Sequence, residues 1–167
     1  MSELIHKARA PVSVGCYVLT VSDTRTEATD TSGRAIADLL AVADHRICGR
    51  AIVKDDADMV RGLVQRQLAS ADVQAIITTG GTGITSRDST YEAVSRLLEK
   101  RLDGFGELFR MLSYEQIGSA AMMSRACAGL VAGRIVIVLP GSEAAVRLAV
   151  EKLIVPELGH LVQQASK

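Results

Sequence analysis

The chain has 167 residues, and its 19 Lys and Arg balance 19 Asp and Glu, so formal net charge is zero with no basic stripe along it. Polyanionic partners are therefore excluded, nucleic acid and anionic membrane surfaces alike, and no run approaches the roughly 18 apolar residues of a membrane helix. Hydrophobic residues make up 48% and charged ones 23%, which suits one globular domain able to bury about two thirds of its unfolded surface.

Aromatics are 3% and Trp is absent, so small aliphatic residues must build the core. Cys16, Cys48 and Cys127 have no CxxC spacing and sit in or near apolar segments, as buried thiols of a reducing compartment do. The expectation is a soluble cytoplasmic protein with a flexible tail over 1–11 and a single domain over 12–167.

Residues 14–21 read as a mostly apolar strand that runs into Ser22-Asp23-Thr24-Arg25, a loop rich in oxygen ligands and donors. From Ser32 onward Ile36, Leu39, Leu40 and Ala43 recur at helical spacing, with Thr31 or Ser32 as cap. A strand follows over 46–53, a loop over 54–57, and a helix over 58–69 presenting Val60, Leu63, Val64 and Leu68. Residues 75–79 form a short β-branched strand that glycines end. Ser89 and Glu92 have capping-box spacing, and a helix is expected over 91–102 with Val94, Leu97 and Leu98 on one face. Gly104-Phe105-Gly106 interrupts that pattern, and a second helix runs over 107–117. Residues 118–133 are a small-residue segment with no assigned element. A buried strand over 134–139 ends in Pro140-Gly141-Ser142, and a helix over 142–161 is kinked or divided by Pro156. Strands alternating with helices make an α/β domain with a mainly parallel sheet and right-handed crossovers.

In open α/β sheets ligands sit beyond the carboxyl ends of the strands. Four loops leave those ends, carrying Ser22-Asp23, Asp55-Asp56, the stretch 79–88, and Pro140-Gly141-Ser142. Gly80, Gly81 and Gly83 lack Cβ atoms, so the backbone can take positive φ and a bound anion can approach its amides. Arg87 adds a planar fork of donors suited to phosphate, and Asp88 an oxygen suited to a divalent cation. No Lys-Ser or Lys-Thr follows the glycines, so this is not a P-loop. Two carboxylates held about 4 Å apart at a protein surface repel by roughly 4 kcal/mol, a penalty that Mg²⁺ reverses while keeping sites for substrate phosphates. Plainer readings stay open: Asp55 and Asp56 can cap the following helix, Asp23 can bond its own turn, and Arg87 with Asp88 can be an ion pair. His6, His45 and His160 lack ligand spacing, and neither Ser22 nor Ser142 sits in a Gly-x-Ser-x-Gly elbow. Phe105, Leu108, Phe109 and Leu112 are core or, if Met111 and Tyr114 stay uncovered, part of a subunit interface.

Several segments in this order, Thr78-Thr79-Gly80-Gly81-Thr82-Gly83, Arg87-Asp88, Gly104-Phe105-Gly106-Glu107 with Arg110, Ser124-Arg125 and Pro140-Gly141-Ser142, closely resemble the MoaB/MogA family of molybdenum-cofactor biosynthesis. The likeness runs from about Val12 to Leu158, and Asp30-Thr31-Ser32-Gly33 and Phe109-Arg110-Met111-Leu112-Ser113 look most like the MoaB branch. The resemblance implies a three-layer α/β/α sandwich that binds molybdopterin and assembles as a trimer or a hexamer. In active members it implies adenylylation, in which molybdopterin and ATP give adenylyl-molybdopterin and pyrophosphate with Mg²⁺. The family's two essential aspartates fall on Asp55 and Asp88, which would be both catalytic and metal-holding, with Asp23 and Asp56 as further candidates for the metal shell. Its substrate contacts fall on Thr79, Gly80, Gly81, Thr82 and Gly83 and on Pro140, Gly141 and Ser142, joined by Ser22, Asp23, Glu107 and Ser124, with Arg87 and Arg125 neutralising charge. Two positions depart from the pattern. Lys54 precedes Asp55 where active members often have proline, and Asp88-Ser89-Thr90-Tyr91 stands where Asp-Val-Thr-Pro is typical. A non-catalytic molybdopterin-binding or carrier oligomer, and a generic nucleotide-binding regulatory domain, are the competing expectations.

Overall fold

The structure, a computed structural model, describes residues 8 and 10–167. Its centre is a six-stranded sheet in the order β2-β1-β3-β6-β5-β4. Strands β1 (Gly15–Val21), β2 (Arg46–Val53), β3 (Ala75–Thr79) and β6 (Arg134–Leu139) run parallel. Strand β5 (Cys127–Val131) pairs antiparallel with β6, and the two-residue β4 (Lys100–Arg101) pairs antiparallel with β5. The long apolar runs fit this plan, because a parallel strand is covered on both faces and needs no polar side.

Each face carries its own core. Cys16 and Val18 of β1 turn toward helices α1 (Thr31–Val42), α4 (Asp103–Ile117), α5 (Glu143–Ala149) and α6 (Val155–Ala165), where Ile36, Leu40, Phe109, Val146 and Leu158 are fully buried. Tyr17, Leu19 and Val21 turn the other way, toward Val60, Leu63 and Val64 of α2 (Ala57–Leu68) and Val94 of α3 (Thr90–Ser95). Helix, sheet and helix make three layers. Among the described residues no helix is long and apolar enough to cross a membrane.

Strands β2, β3 and β6 have the bounds their apolar runs predict. Elsewhere tertiary contacts override local pattern. The helix expected over 91–102 stops at Ser95, because the chain turns outward to seat β4, where Glu99 N–H bonds Leu130 C=O and Leu102 N–H bonds Ala128 C=O. The segment 118–133 is not featureless, since it holds a 3₁₀ turn (Gly118–Met123) and then β5. Gly104-Phe105-Gly106 lies inside α4 instead of breaking it, and a Cβ on Gly106 would stand 2.8 Å from the Ala126 carbonyl oxygen, so glycine lets the helix close on β5. The last helix is divided just ahead of Pro156, as its sequence leads one to expect. The chain widens into a π turn (Val150–Ile154), with Val155 N–H bonded to Val150 C=O, and proline occupies the first turn of α6.

Three smaller expectations also change. The cap of α1 is Asp30, whose Oδ1 accepts from Gly33 N–H at 3.0 Å, and neither Thr31 nor Ser32. Ser89 makes no cap bond to α3, and Glu92 reaches Arg125 instead of closing a capping box. Cys48 is exposed, the extra residue where the β1–β2 register shifts, while Cys16 and Cys127 are buried. Burial pushes the Cys16 thiol up to about 12. The expected tail over 1–11 lies mostly outside the described residues; Pro11 rests against Gly159.

Candidate functional site

Strand order reverses direction between β1 and β3, since the chain leaves β1 toward β2 and leaves β3 toward β6. A crevice opens at such a switch point, beyond the carboxyl ends of the two strands. A cavity of about 210 Å³ lies there. Thr79, Gly80 and Gly81 line it from the β3 side, Thr20, Val21, Ser22 and Arg25 from β1 and its loop, Ser32 from the first turn of α1, and Gly141 from the turn after β6. Gly80 and Gly81 have φ of +95° and +66°, and a Cβ on Gly80 would collide with the Val21 carbonyl. Only glycine allows that path. Thr79 Oγ1 donates to Pro140 C=O at 2.8 Å and Gly80 N–H to Leu139 C=O at 3.1 Å, so the ends of β3 and β6 are stitched together beneath the loop.

The carboxylates stand on the far side of the same loop. Asp55, in the turn between β2 and α2, accepts on Oδ1 from Ser89 Oγ at 2.8 Å, Ser89 N–H at 3.3 Å and Thr90 Oγ1 at 3.4 Å. That oxygen lies 3.1 Å from where a Cβ on Gly81 would be. Asp88 Oδ2 accepts from Thr85 Oγ1 at 2.6 Å and Thr85 N–H at 3.0 Å, and a Cβ on Gly83 would come within 2.5 Å of it. The Thr85 hydroxyl holds the Asp88 carboxyl below the usual carboxylate range, so it stays charged near neutral pH. Both acids thus border residues 81–83, on adjoining turns at one end of the sheet.

Asp23 ties the turns together. Its Oδ1 accepts from Asp55 N–H at 3.2 Å and its Oδ2 from Arg87 Nη2 at 2.6 Å. The Arg87 hydrogen bond keeps the Asp23 carboxyl low and raises the guanidinium in return. Arg87 therefore pairs with Asp23, and not with its neighbour Asp88. Asp56 caps α2, accepting from Met59 N–H at 2.9 Å. Among the described residues no three His, Cys, Asp or Glu converge into a metal cage. Asp55 and Asp88 are of the donor type Mg²⁺ accepts, since that ion takes one or two carboxylates and leaves its other positions to water and phosphate.

A family described as a "probable molybdopterin binding domain" matches residues 17–160. Molybdenum cofactor biosynthesis protein B of Bacillus cereus is 52% identical over 162 residues, 96% of each chain, and that of Bacillus subtilis is 49% identical over 168 residues, 100% of this chain and 99% of its own. A crystal structure of a molybdenum cofactor biosynthesis protein B superposes with a TM-score of 0.91 at 51% identity, covering 94% of this chain and 98% of that one. The tungsten cofactor synthesizing protein MoaB of Pyrococcus furiosus superposes at 0.85 with 36% identity, covering 95% and 100%. The chain belongs to the MoaB/MogA family, on its MoaB branch.

The remaining residues that the MoaB likeness singles out are placed less uniformly. Ser142 caps α5, accepting from Ala145 N–H at 3.1 Å, which leaves its hydroxyl proton free to donate. Arg125 is spent on the glycine loop: Nε donates to Thr82 C=O at 2.8 Å, Nη2 to Gly83 C=O at 2.6 Å, and Nη1 to Glu92, while the guanidinium lies 4.7 Å from the Tyr91 ring centre. It holds the loop's shape, and Tyr91 packs against the guanidinium. Ser124 ends the 3₁₀ turn beside it. Glu107 stands apart, exposed on α4 at a separate cavity of about 200 Å³ with Arg101, Arg110 and Tyr91. Arg25 and Ser32 on the cavity wall, and Ser89 and Thr90 behind Asp55, read in the sequence only as members of a donor-rich loop, a helix cap and the turn after Asp88, and not as site residues.

Proposed function

We propose that this MoaB-family chain binds molybdopterin and adenylylates it, converting molybdopterin and ATP into adenylyl-molybdopterin and pyrophosphate. The observation that carries this reading is that Asp55 and Asp88, from separate turns, both border one glycine loop, at Gly81 and Gly83. The molybdopterin phosphate attacks the α-phosphorus of ATP, and pyrophosphate leaves. Such transfer asks chiefly for positioning and charge neutralisation. The loop over 79–83, through the Gly81 amide, and the Ser142 hydroxyl receive the pterin's terminal phosphate, and Arg87 offsets charge at the rim. Asp55 and Asp88 hold Mg²⁺, which supplies positive charge against the phosphate oxygens. The protein acts as a cytoplasmic homo-oligomer, trimer or hexamer.

Incubation with molybdopterin, ATP and Mg²⁺ should release pyrophosphate. Asp88→Asn should abolish release while leaving pterin binding largely intact, and equal loss of both would contradict the assignment. A carrier that binds without turnover is the second reading, favoured by Lys54 and Tyr91, which depart from the prolines that the resemblance leads one to expect in active members. It predicts pterin binding with no pyrophosphate at any Mg²⁺ concentration.

A further inference from the structure

Among the described residues the anion pocket above β1 and β3 has one charged side chain in its lining, and that is Arg25. Arg87 is a rim residue with 71% of its side chain exposed, joined to Asp23, and Arg125 has Nε, Nη1 and Nη2 engaged with the glycine loop and Glu92. A doubly charged phosphate entering a half-enclosed cavity loses water and needs a cation to replace it. We infer that Arg25 is the cation of this pocket, meeting the bound phosphate opposite the glycine-loop backbone at Gly81. The inference rests on the pocket being the phosphate site proposed above.

The local geometry prepares it for that part. Ser22 Oγ accepts from Thr24 N–H at 3.2 Å and Arg25 N–H at 3.0 Å, curling the loop back so that residue 25 returns to the strand end. Arg25 Nη1 is anchored on Thr29 C=O and on Thr31 Oγ1. No partner for Nε or Nη2 is seen among the described residues, so two edges of the fork stay open to phosphate oxygens. A guanidinium already anchored on one nitrogen loses less freedom on binding than a free one. The same anchor gives Arg25 a competing, purely structural role, and a test has to separate the two.

Two substitutions do so. Arg25→Gln keeps a donor for the Thr29 carbonyl and removes the charge, whereas Arg25→Lys keeps the charge and gives up the fork. Inorganic phosphate is the probe, titrated into the full chain and followed by ³¹P NMR, with Arg61→Gln on α2 as a control for net charge. The expected result is that Arg25→Gln weakens phosphate binding by between about tenfold and a hundredfold, with Arg25→Lys much closer to wild type. Wild-type affinity in Arg25→Gln, or equal loss in Gln and Lys variants, overturns the assignment while the pocket itself stands. A wild-type chain indifferent to millimolar phosphate overturns both.

Discussion

Asp55 is oriented by donors that converge on one of its oxygens, and the nearest is the Ser89 hydroxyl at 2.8 Å. This turn has no proline, so a hydrogen bond from Ser89 fixes the acid in place of backbone stiffness. Ser89→Ala leaves the longer contacts from Ser89 N–H and Thr90. The expected cost is about 1 kcal/mol of positioning, or about a fivefold fall in kcat for pyrophosphate release, and Ser89→Thr should restore it. An alanine variant at full rate would mean that the backbone alone holds the acid. The sequence made Asp55 and Asp88 visible because acids after strands are conspicuous, whereas Ser89 reads as a helix cap and Arg25 as one donor of a polar loop until coordinates bring them against a carboxylate and a cavity.

At the scale of elements, α1 hangs from Asp30. This side chain is 1% exposed, yet its two oxygens cap Gly33 N–H, accept from Thr20 Oγ1 at 2.9 Å and face Arg50 Nη2 at 3.2 Å. Asp30→Ala strips the helix of its cap and leaves Thr20 and Arg50 unmatched, so stability should fall by about 2–4 kcal/mol in urea denaturation with an unchanged slope. Thr31→Ala, a residue outside this buried cluster, should cost less than about 0.5 kcal/mol. Strands rich in β-branched and aliphatic residues announced themselves, and β2, β3 and β6 have the predicted limits. Strand β5 did not, because Cys-Ala-Gly has little β character alone and is held by pairing with Val138, Ile137 and Val136 of β6. Strand β4 exists only through its partner, and a local pattern could not distinguish Leu97 and Leu98 packing on the second core from one more helical turn.

Over the whole molecule, α4 is lopsided in an unusual way. Phe109 is buried, yet Leu108, Met111, Tyr114 and Ile117 on its outer side, with Met122 and Met123 beyond, are each at least 48% exposed. A contiguous apolar strip of that kind marks an interaction surface, and in the proposed assembly it meets another copy. Met111→Glu should convert the oligomer to monomer by light scattering with an unchanged far-UV spectrum, because a charge sealed in that contact costs more than about 2 kcal/mol. Persistence of the native mass would move the interface elsewhere.

The stitching of Thr79 to Pro140 joins residues 61 apart. During synthesis the first three strands leave the ribosome long before β6 does, so the glycine loop must wait, unbraced, for the last third of the chain. Any product truncated ahead of Leu139 would keep both aspartates in its sequence and still have no floor on which to set a phosphate.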